Sequence, residues 1–349
     1  MVLKTNITEM LGMKHPIIQA PMGGSGLRGL ALAVSEAGGI GVIGHDSPIG
    51  SEEMYTQSRK DMKENLLYLA EHTDNPFGVN IRTTRVQLDV EKMCSEIPEF
   101  IMSNPKIKEQ CVYIVTSAGS SRVLPQSKSF QKLKQSGSNI KHFHVAPALW
   151  LADKSIASNV DGLVCTGSEG GGHQSYEEIS TLVLLQQVTE KYPDVPLIAC
   201  GGFATGQGLA AALSMGAGAI VMGSRFIASE ECEFPKAYKN IIPPANAEDT
   251  VTVSGMLGPI RLWKNEYSLK HGYVGKSEKM AKEKKLTVED MIEEASHYGY
   301  VTKRNIQDKA LLLGQSAGLV KSIDSVEDII EKIVSEAEKR LTKSSTYVQ

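Results

Sequence analysis

The stretch PLIACGGFATGQGLAAALSMGAGAIVMGSR, residues 196–225, decides the fold of this chain. Two short apolar runs, Pro196–Cys200 and Ala219–Met222, enclose a helical pattern at Gly208–Met215. Continuous apolar runs of this length are typical of parallel strands that are buried on both faces. The stretch therefore predicts a strand–helix–strand unit of a parallel α/β sheet.

Similar units precede this stretch, so the chain carries eight predicted strands that alternate with helices. The other six predicted strands are Ile17–Ala20, Ile40–Ile43, Phe77–Ile81, Val112–Thr116, His142–Ala146 and Gly162–Thr166. The other predicted crossover helices are Leu30–Ala37, Ser51–Ala70, Leu88–Ser103, Phe130–Gln135, Leu149–Ser158 and Ile179–Tyr192. Eight such units in order predict an α/β fold of the (β/α)8 TIM-barrel type.

A different pattern follows the eighth predicted strand. Residues 229–300 are rich in charge, and their basic stretch at 276–285 is interrupted by acidic residues, as is typical of a solvated helix face. A helical stripe then runs from Val326 to Leu341, after a capping signal at Ser325. We therefore expect a barrel formed by residues 1–228 and 301–349, with a smaller helical insertion at 229–300 that covers the site at the top of the barrel.

The composition is that of an ordinary globular protein. Hydrophobic residues make up 41% and charged residues 22%, and 37 basic against 40 acidic residues give a net charge of 37 − 40 = −3. This balance gives no electrostatic reason to bind nucleic acid or an anionic membrane, and no apolar stretch approaches the ~18 residues that span a bilayer. Five scattered cysteines indicate reduced thiols. These features predict a cytoplasmic protein whose partner is a small molecule.

Glycines mark the ends of the seventh and eighth predicted strands. Gly201 and Gly202 follow the seventh, and Gly223 and Ser224 follow the eighth. In a barrel the loops after these two strands often bind phosphate, and bare glycine amides allow close approach. The alternative is that these glycines only permit tight turns. We predict a phosphate site because both strand ends carry the signal at the expected ordinal positions.

The sixth predicted strand brings a histidine to the same end of the barrel. Thr166 ends the strand, and a loop with Glu169 and three glycines at 170–172 leads to His173. Consecutive glycines let the backbone pass close to a flat ligand, and an imidazole titrates near neutral pH. The alternative is a surface or packed histidine. We predict that His173 is a catalytic acid or base and that Glu169 orients backbone or water.

Two more strand ends carry side chains suited to an aromatic heterocycle. Met22 follows the first strand and offers a polarisable apolar surface for a ring. Asn80 lies near the end of the third strand, where its amide can donate and accept in the plane of a heterocycle edge. Taken alone, either residue is more typical of a core or a turn.

A dinucleotide-binding Rossmann fold is the competing interpretation, because GSGLRG at 24–29 matches the GxGxxG pattern. That turn should follow its strand directly, yet Pro21 and Met22 intervene. The eight units and their two phosphate-like loops also fit a barrel better. We predict no metal site, because His45, Asp46 and His173 lack the spacing of metal ligands. The pair His142 and His144 is expected to take a packed or rim position instead of binding a metal.

Five blocks occur together in the order of a known family. They are Pro16–Met22 (PIIQAPM), Phe77–Asn80 (FGVN), Gly167–His173 (GSEGGGH), Pro196–Gly202 (PLIACGG) and Gly216–Phe226 (GAGAIVMGSRF). In these blocks the chain resembles the nitronate monooxygenases, formerly called 2-nitropropane dioxygenases, and the similar flavin-dependent enoyl-acyl-carrier-protein reductases. The resemblance runs from residue 16 to residue 226 and resumes at Gly314–Gly318.

This resemblance implies a barrel that binds FMN beneath a small insertion. It implies that Met22 lies against the flavin ring, that Asn80 lies at its pyrimidine edge and that His173 is the acid–base residue. The family usually has Gln at the position of Thr166, so one hydrogen bond to the flavin is expected to be altered. The expected cofactor-binding residues are Met22, Asn80, Thr166, Gly171, Gly201, Gly202, Met222, Gly223 and Ser224.

Three functions remain open at this point. The first is the oxidation of alkyl nitronates or nitroalkanes with molecular oxygen, in which His173 deprotonates the nitroalkane or holds the anion. The second is the reduction of an enoyl thioester or a quinone with NAD(P)H as reductant, in which His173 assists protonation. The third is a flavin-binding module without catalysis, against which His173 argues. The first is favoured, and a homodimer is a candidate assembly.

Overall fold

The computed structural model describes residues 3–23, 27–45, 52–84, 88–255, 258–272 and 301–348, together with residues 278, 285, 287, 290, 293 and 296–298. Its strands up to residue 222 are β1 (Ile17–Gln19), β2 (Gly41–Ile43), β3 (Phe77–Arg82), β4 (Cys111–Ser117), β5 (Lys141–Ala146), β6 (Gly162–Thr166), β7 (Gly172–His173), β8 (Leu197–Cys200) and β9 (Ala219–Met222). Apart from the two-residue strand β7, these are the eight predicted strands, each within a residue or so of its expected bounds.

The eight long strands form one parallel sheet in the order β1-β9-β8-β6-β5-β4-β3-β2. The two strands at its edges are joined by backbone hydrogen bonds, from Gln19 N to Ile40 O at 2.9 Å and from Ile40 N to Ile17 O at 3.1 Å. These bonds close the sheet, and the predicted (β/α)8 barrel is confirmed.

Helices connect the successive barrel strands as the crossover pattern predicts, while one further helix precedes β1 and others follow β9. They are α1 (Asn6–Leu11), α2 (Arg28–Glu36), α3 (Glu52–His72), α4 (Val90–Ser103), α5 (Pro105–Gln110), α6 (Val123–Gln126), α7 (Lys128–Gln135), α8 (Leu149–Ile156), α9 (Thr181–Lys191), α10 (Gly206–Ser214), α11 (Ser224–Ile227), α12 (Lys236–Lys239), α13 (Glu266–Lys270) and α14 (Val326–Ser345). Ser325 caps α14 as expected, because its hydroxyl accepts the Asp328 N–H at 3.1 Å. Within the described part of the chain, no helix has the length and apolarity that a membrane crossing requires.

The interior of the barrel is packed. Side chains that alternate along the strands point inward and fill it, and these include Ile18, Val42, Val115, Phe143 and Val221. Their neighbours in sequence, such as Ile17 and Ile220, pack outward against the helices. Since a filled barrel has no room for a ligand, a binding site has to lie beyond the carboxyl ends of the strands.

The segment after β9 differs from the expected helical insertion. Its described part carries short helices and an antiparallel hairpin, β10 (Thr250–Gly255) and β11 (Gly258–Trp263). Strand β11 also pairs with β7, with Ile260 opposite His173. The hairpin forms because the alternating Thr and Val residues of TVTVSG favour extended backbone, a local signal hidden by the charge-rich composition around it.

A second core lies beside the top of the barrel. Residues 301–320, among them Val301 and Leu313, pack there with Ile227, Tyr238 and Ile242. This packing places 301–320 against the segment after β9, whereas α14 packs on α10 of the barrel. The division into residues 1–228 with 301–349 and an insertion at 229–300 stays a prediction.

Candidate active site

A cavity of about 630 Å³ lies at the carboxyl ends of the barrel strands. This volume is within the range of roughly 300–1,000 Å³ that is usual for small-molecule sites. One side is built from strand ends and the loops that follow them. The other side is mostly apolar and comes from the segment after β9, from residue 298 and from residues 301–316, with Phe234, Tyr238, Val301, Leu311 and Leu312 among its side chains.

The four predicted phosphate-binding residues lie together in this cavity. Gly201 and Gly202 follow β8 with φ of +93° and +86°, a conformation that favours glycine. Gly223 and Ser224 occupy the neighbouring end of β9, where Ser224 begins α11. The Ser224 hydroxyl accepts the Gly314 N–H at 3.0 Å, which leaves its own proton for another acceptor.

The chemistry of this cradle fits a phosphate group. Among the described residues, no protein acceptor is hydrogen-bonded to the N–H groups of Gly202, Gly223 or Ser224. A Cβ at Gly201 would lie 2.9 Å from Thr181 Oγ1, so the backbone packs here only because residue 201 has no side chain. Bare N–H groups beside a hydroxyl are a donor set that binds phosphate. The cradle can therefore hold the phosphate of a mononucleotide such as FMN.

His173 faces the same cavity from the loop between β6 and α9. Its backbone is fixed by the pairing of β7 with β11, and Gln174 N donates to Pro259 O at 2.7 Å. The side chain is exposed toward the cavity, while the protein packed around the cavity partly desolvates the ring. This desolvation, followed by the nearby charge of Arg82, lowers the pKa of His173 to about 4. The imidazole is therefore neutral at pH 7 and can accept a proton.

Glu169 holds the His173 loop in place. Its carboxylate accepts the Thr181 N–H and the Thr181 hydroxyl, both at 2.9 Å. Thr181 Oγ1 also lies 3.0 Å from Gly201 O, and the Glu169 carbonyl accepts the Gln315 N–H at 2.9 Å. These contacts join the loop that carries His173 to the turn that carries Gly201.

Two cavity side chains were not assigned to the site from the sequence. Arg82 ends β3 and His45 follows β2. Their position at the carboxyl ends of strands is the sequence feature that could have placed them in the site. Arg82 N donates to His45 Nδ1 at 3.2 Å, which assigns the proton of the neutral imidazole to Nε2. Burial, followed by the Arg82 charge, lowers the pKa of His45 to about 3.

Two of the predicted cofactor residues do not line the cavity. Asn80 is 1% exposed, and its Nδ2 donates to Val115 O at 2.9 Å and to Ser117 Oγ at 3.1 Å. Met222 is buried in the core outside the barrel sheet. The cofactor roles of Asn80 and Met222 stay predictions. The remaining residues of the predicted set do line the cavity, namely Met22, Thr166, Gly171, Gly201, Gly202, Gly223 and Ser224.

The paired histidines of β5 are packed beside β4. Thr116 Oγ1 lies 2.7 Å from both His142 Nε2 and His144 Nδ1. Burial is the largest cause that lowers the pKa of His142 to about 3 and that of His144 to about 4. In the part of the chain that the structure describes, no three His, Cys, Asp or Glu side chains are grouped so as to hold a metal ion.

The fold and the cavity define a class, namely barrel enzymes that bind a small molecule at the carboxyl ends of their strands. A family model described as nitronate monooxygenase matches residues 4–336, and the chain belongs to the nitronate monooxygenase family. The class that the sequence predicted, an FMN-dependent oxidoreductase, is confirmed by this membership.

Relatives of similar length support the assignment. A probable nitronate monooxygenase of Staphylococcus saprophyticus is 29% identical and is aligned over 97% of this chain and 98% of its own length. The (3aS,4S,5R,7aS)-5-hydroxy-7a-methyl-1-oxo-octahydro-1H-indene-4-carboxyl-CoA dehydrogenase of Rhodococcus jostii is 28% identical over 97% of each chain. The solved structure of FabK from Thermotoga maritima is 31% identical, with a TM-score of 0.78 over 99% of each chain. The first two names give different substrates, so the substrate has to be argued from the site.

Proposed function

We propose that the cavity holds FMN and that the chain oxidises alkyl nitronates or nitroalkanes with molecular oxygen, with His173 as the acid–base residue. The observation that supports this function best is a neutral imidazole in the same cavity as a phosphate cradle. A neutral imidazole is ready to take a proton from carbon, whereas protonation of a product would need the imidazolium. The charge state of His173 thus favours proton abstraction.

The residues of this chain have separate parts in binding. Gly201, Gly202, Gly223 and Ser224 would hold the phosphate, and Met22 would pack against the ring. When bound, FMN would supply the acceptor for the electrons of the substrate, with molecular oxygen as the final oxidant. The apolar side of the cavity would exclude water and accept the alkyl part of the substrate.

The proton transfer is assigned to His173. The C–H bond next to the nitro group of a nitroalkane breaks, an N–H bond forms on the imidazole, and the electron pair stays on the substrate as the nitronate anion. The positive charge of Arg82 lies near His173 and stabilises that anion. A substrate supplied as the nitronate needs no such proton transfer.

The difference between the two substrates provides the test. The FMN-loaded protein is mixed without oxygen with 2-nitropropane, with propyl-2-nitronate, or with NADH or NADPH, and the loss of flavin absorbance is followed. We expect both nitro substrates to bleach the flavin. His173→Asn should retain FMN and slow bleaching by 2-nitropropane by about 10²-fold or more, with a much smaller effect on the nitronate. A variant that is equally fast with 2-nitropropane would remove the role of His173.

The second candidate is the reduction of an enoyl thioester or a quinone by NAD(P)H. It is supported by the apolar side of the cavity and by the Rhodococcus jostii relative, whose name gives a carboxyl-CoA substrate. Rapid bleaching by NADH or NADPH, with none by either nitro substrate, would select this function over the first.

The proposal includes a homodimer in the cytoplasm. The FMN-loaded protein should show twice the chain mass of 37.8 kDa in light scattering. It should also fractionate with cytoplasmic markers. A monomer would remove the homodimer from the proposal and leave the proposed reaction unchanged.

A further inference from the structure

The loop that carries His173 meets strand β11 both where the loop begins and where it ends. At its beginning, the Nε–H of Arg261 in β11 donates to Ser168 O at 2.8 Å. At its end, the backbone of Arg261 lies opposite Gly172 in the pairing of β7 with β11. One residue therefore contacts both ends of the segment 168–172.

This segment needs contacts from outside because of its composition. Gly170, Gly171 and Gly172 follow one another, and glycine loses more backbone freedom on folding than any other residue. The contacts of Glu169 with Thr181 attach the segment to the barrel. The contacts of Arg261 attach it to the hairpin, and His173 follows it directly.

The Arg261 side chain is itself held in place. Its Nη1–H donates to Thr250 Oγ1 of β10 at 3.2 Å. Burial lowers the pKa of Arg261, and the nearby carboxylates of Glu169 and Glu178 raise it. Because a guanidinium stays charged in proteins, its bond to Ser168 O is charge-assisted and is stronger than a bond between neutral groups.

Arg261 reaches His173 through the backbone of the loop. The pKa of the imidazole is lowered by burial and by the Arg82 charge, and Arg261 is not among the causes. Nor is Arg261 one of the described residues that line the cavity. A role of Arg261 in the site would thus be to place the imidazole, not to touch the substrate.

We propose that Arg261 is a positioning residue, which fixes both ends of the segment 168–172 and so holds His173 where it can take a proton from the substrate. The part in proton transfer rests on the proposed function. The fixing of the segment rests only on the contacts with Ser168 and Gly172. Since a misplacement of about 1 Å can slow a reaction by about 10²-fold, loss of the side-chain contact should slow proton abstraction.

Two variants of similar size test the side-chain contact. Arg261→Met has no donor, whereas Arg261→Gln has an amide N–H group at the position along the side chain that Nε occupies. Both remove the charge, so a difference between them reports the hydrogen bond to Ser168. Thr250→Val removes the other side-chain bond of Arg261 and controls for a general weakening of the hairpin. Flavin content and melting temperature report whether each variant is folded.

The first measurement is amide hydrogen exchange of the FMN-loaded protein, followed by mass spectrometry. Peptides that cover residues 168–174 should exchange about tenfold faster in Arg261→Met than in the unmodified chain, as expected for the loss of a charge-assisted hydrogen bond. Arg261→Gln should lie between the two, and Thr250→Val should stay within about twofold of the unmodified chain. Peptides from α10 should be unaffected, since α10 packs on the barrel and on α14.

The second measurement is the anaerobic bleaching of the flavin. Arg261→Met should slow bleaching by 2-nitropropane about tenfold and bleaching by propyl-2-nitronate less than about twofold, because the nitronate needs no proton transfer. Arg261→Gln should recover most of the lost rate. In a protein that already carries His173→Asn, Arg261→Met should slow 2-nitropropane no further, because the arginine acts through the imidazole.

Three results would overturn the inference. They are unchanged exchange of residues 168–174 in Arg261→Met, an equal slowing of both nitro substrates, and an effect of the same size in Thr250→Val. Failure of the proposed function is a separate result. The nitro substrates then leave the flavin of the unmodified chain oxidised, while hydrogen exchange of residues 168–174 still depends on the side chain at position 261.

Discussion

The low pKa of His173 predicts the pH dependence of proton abstraction. Burial and then the Arg82 charge lower this pKa from 6.5 to about 4. Only the neutral imidazole can accept a proton, so activity is lost as the pH falls through the pKa of the folded protein. With the neutral substrate 2-nitropropane, kcat/KM should be constant above about pH 5 and should fall about tenfold per pH unit below pH 4.

Arg82→Gln should shift the acid limb of this profile, that is, the fall of kcat/KM at low pH, to a moderately higher pH. The total lowering is 6.5 − 4 = 2.5 pH units, and burial is the larger of its two causes. The Arg82 charge is the smaller cause, so its removal should raise the pKa of His173 only part of the way toward 6.5. Arg82→Lys keeps the charge and should leave the limb near 4.

The assay is the anaerobic rate of flavin bleaching by 2-nitropropane between about pH 3.5 and 8 at constant ionic strength. The protein is kept at neutral pH and mixed into each buffer, because its buried histidines disfavour long exposure to acid. A limb near pH 6.5 would show that His173 is solvated as in a peptide. If the fall in rate near pH 4 is still present in His173→Asn, then a group other than His173 causes it.

Two more perturbations test the parts that support the site. Glu169→Gln removes the anionic acceptor of Thr181 and should slow 2-nitropropane turnover and weaken FMN binding about tenfold each. Flavin retention measured by dialysis checks this, and tight FMN binding would show that Glu169 does not couple the two loops. His142 and His144 take up protons at about 6.5 only when unfolded, so lowering the pH from 7 to 5 should cost about 2 kcal/mol of unfolding free energy for each. The free energy of unfolding is measured with urea at each pH for the unmodified chain and for the double variant His142→Gln with His144→Gln. It should depend less on pH in the variant. Identical pH dependences would show that these two histidines are not the cause.

The barrel was predictable because its signal is repeated and local. Most of the buried parallel strands are continuous apolar runs, and β6 and β9 match the predicted bounds Gly162–Thr166 and Ala219–Met222. The meeting of Gly201, Gly202, Gly223 and Ser224 in one cavity was predictable for a related reason. Glycine at two adjacent strand ends indicates a backbone with positive φ or with close approach to a neighbour. This signal can be recognised in the sequence without knowing which distant residues lie nearby.

The other half of the site depends on long-range geometry. Arg82 and His45 are common residue types, and they line one cavity with His173 only when the edge strands β1 and β2 close the sheet into a barrel. The direction of the Asn80 side chain was a similar problem. The Asn80 amide nitrogen donates to Val115 O of the adjacent strand instead of reaching the cavity, and that pairing follows from a register which a single strand does not contain.

The contacts among the His173 loop, the Gly201 turn and the apolar side of the cavity determine which of these parts can differ between proteins with different substrates. Glu169 and Thr181 join the His173 loop to the Gly201 turn, and β11 pairs with the backbone of His173 itself. The distance between His173 and the Gly201 turn therefore cannot change without breaking contacts to the barrel sheet or the hairpin. The apolar side chains of the cavity take no part in these contacts, and they come from the segment after β9, from residue 298 and from residues 301–316. Substrate choice among barrels of this kind should accordingly follow these apolar side chains, while the position of the His173 loop is retained.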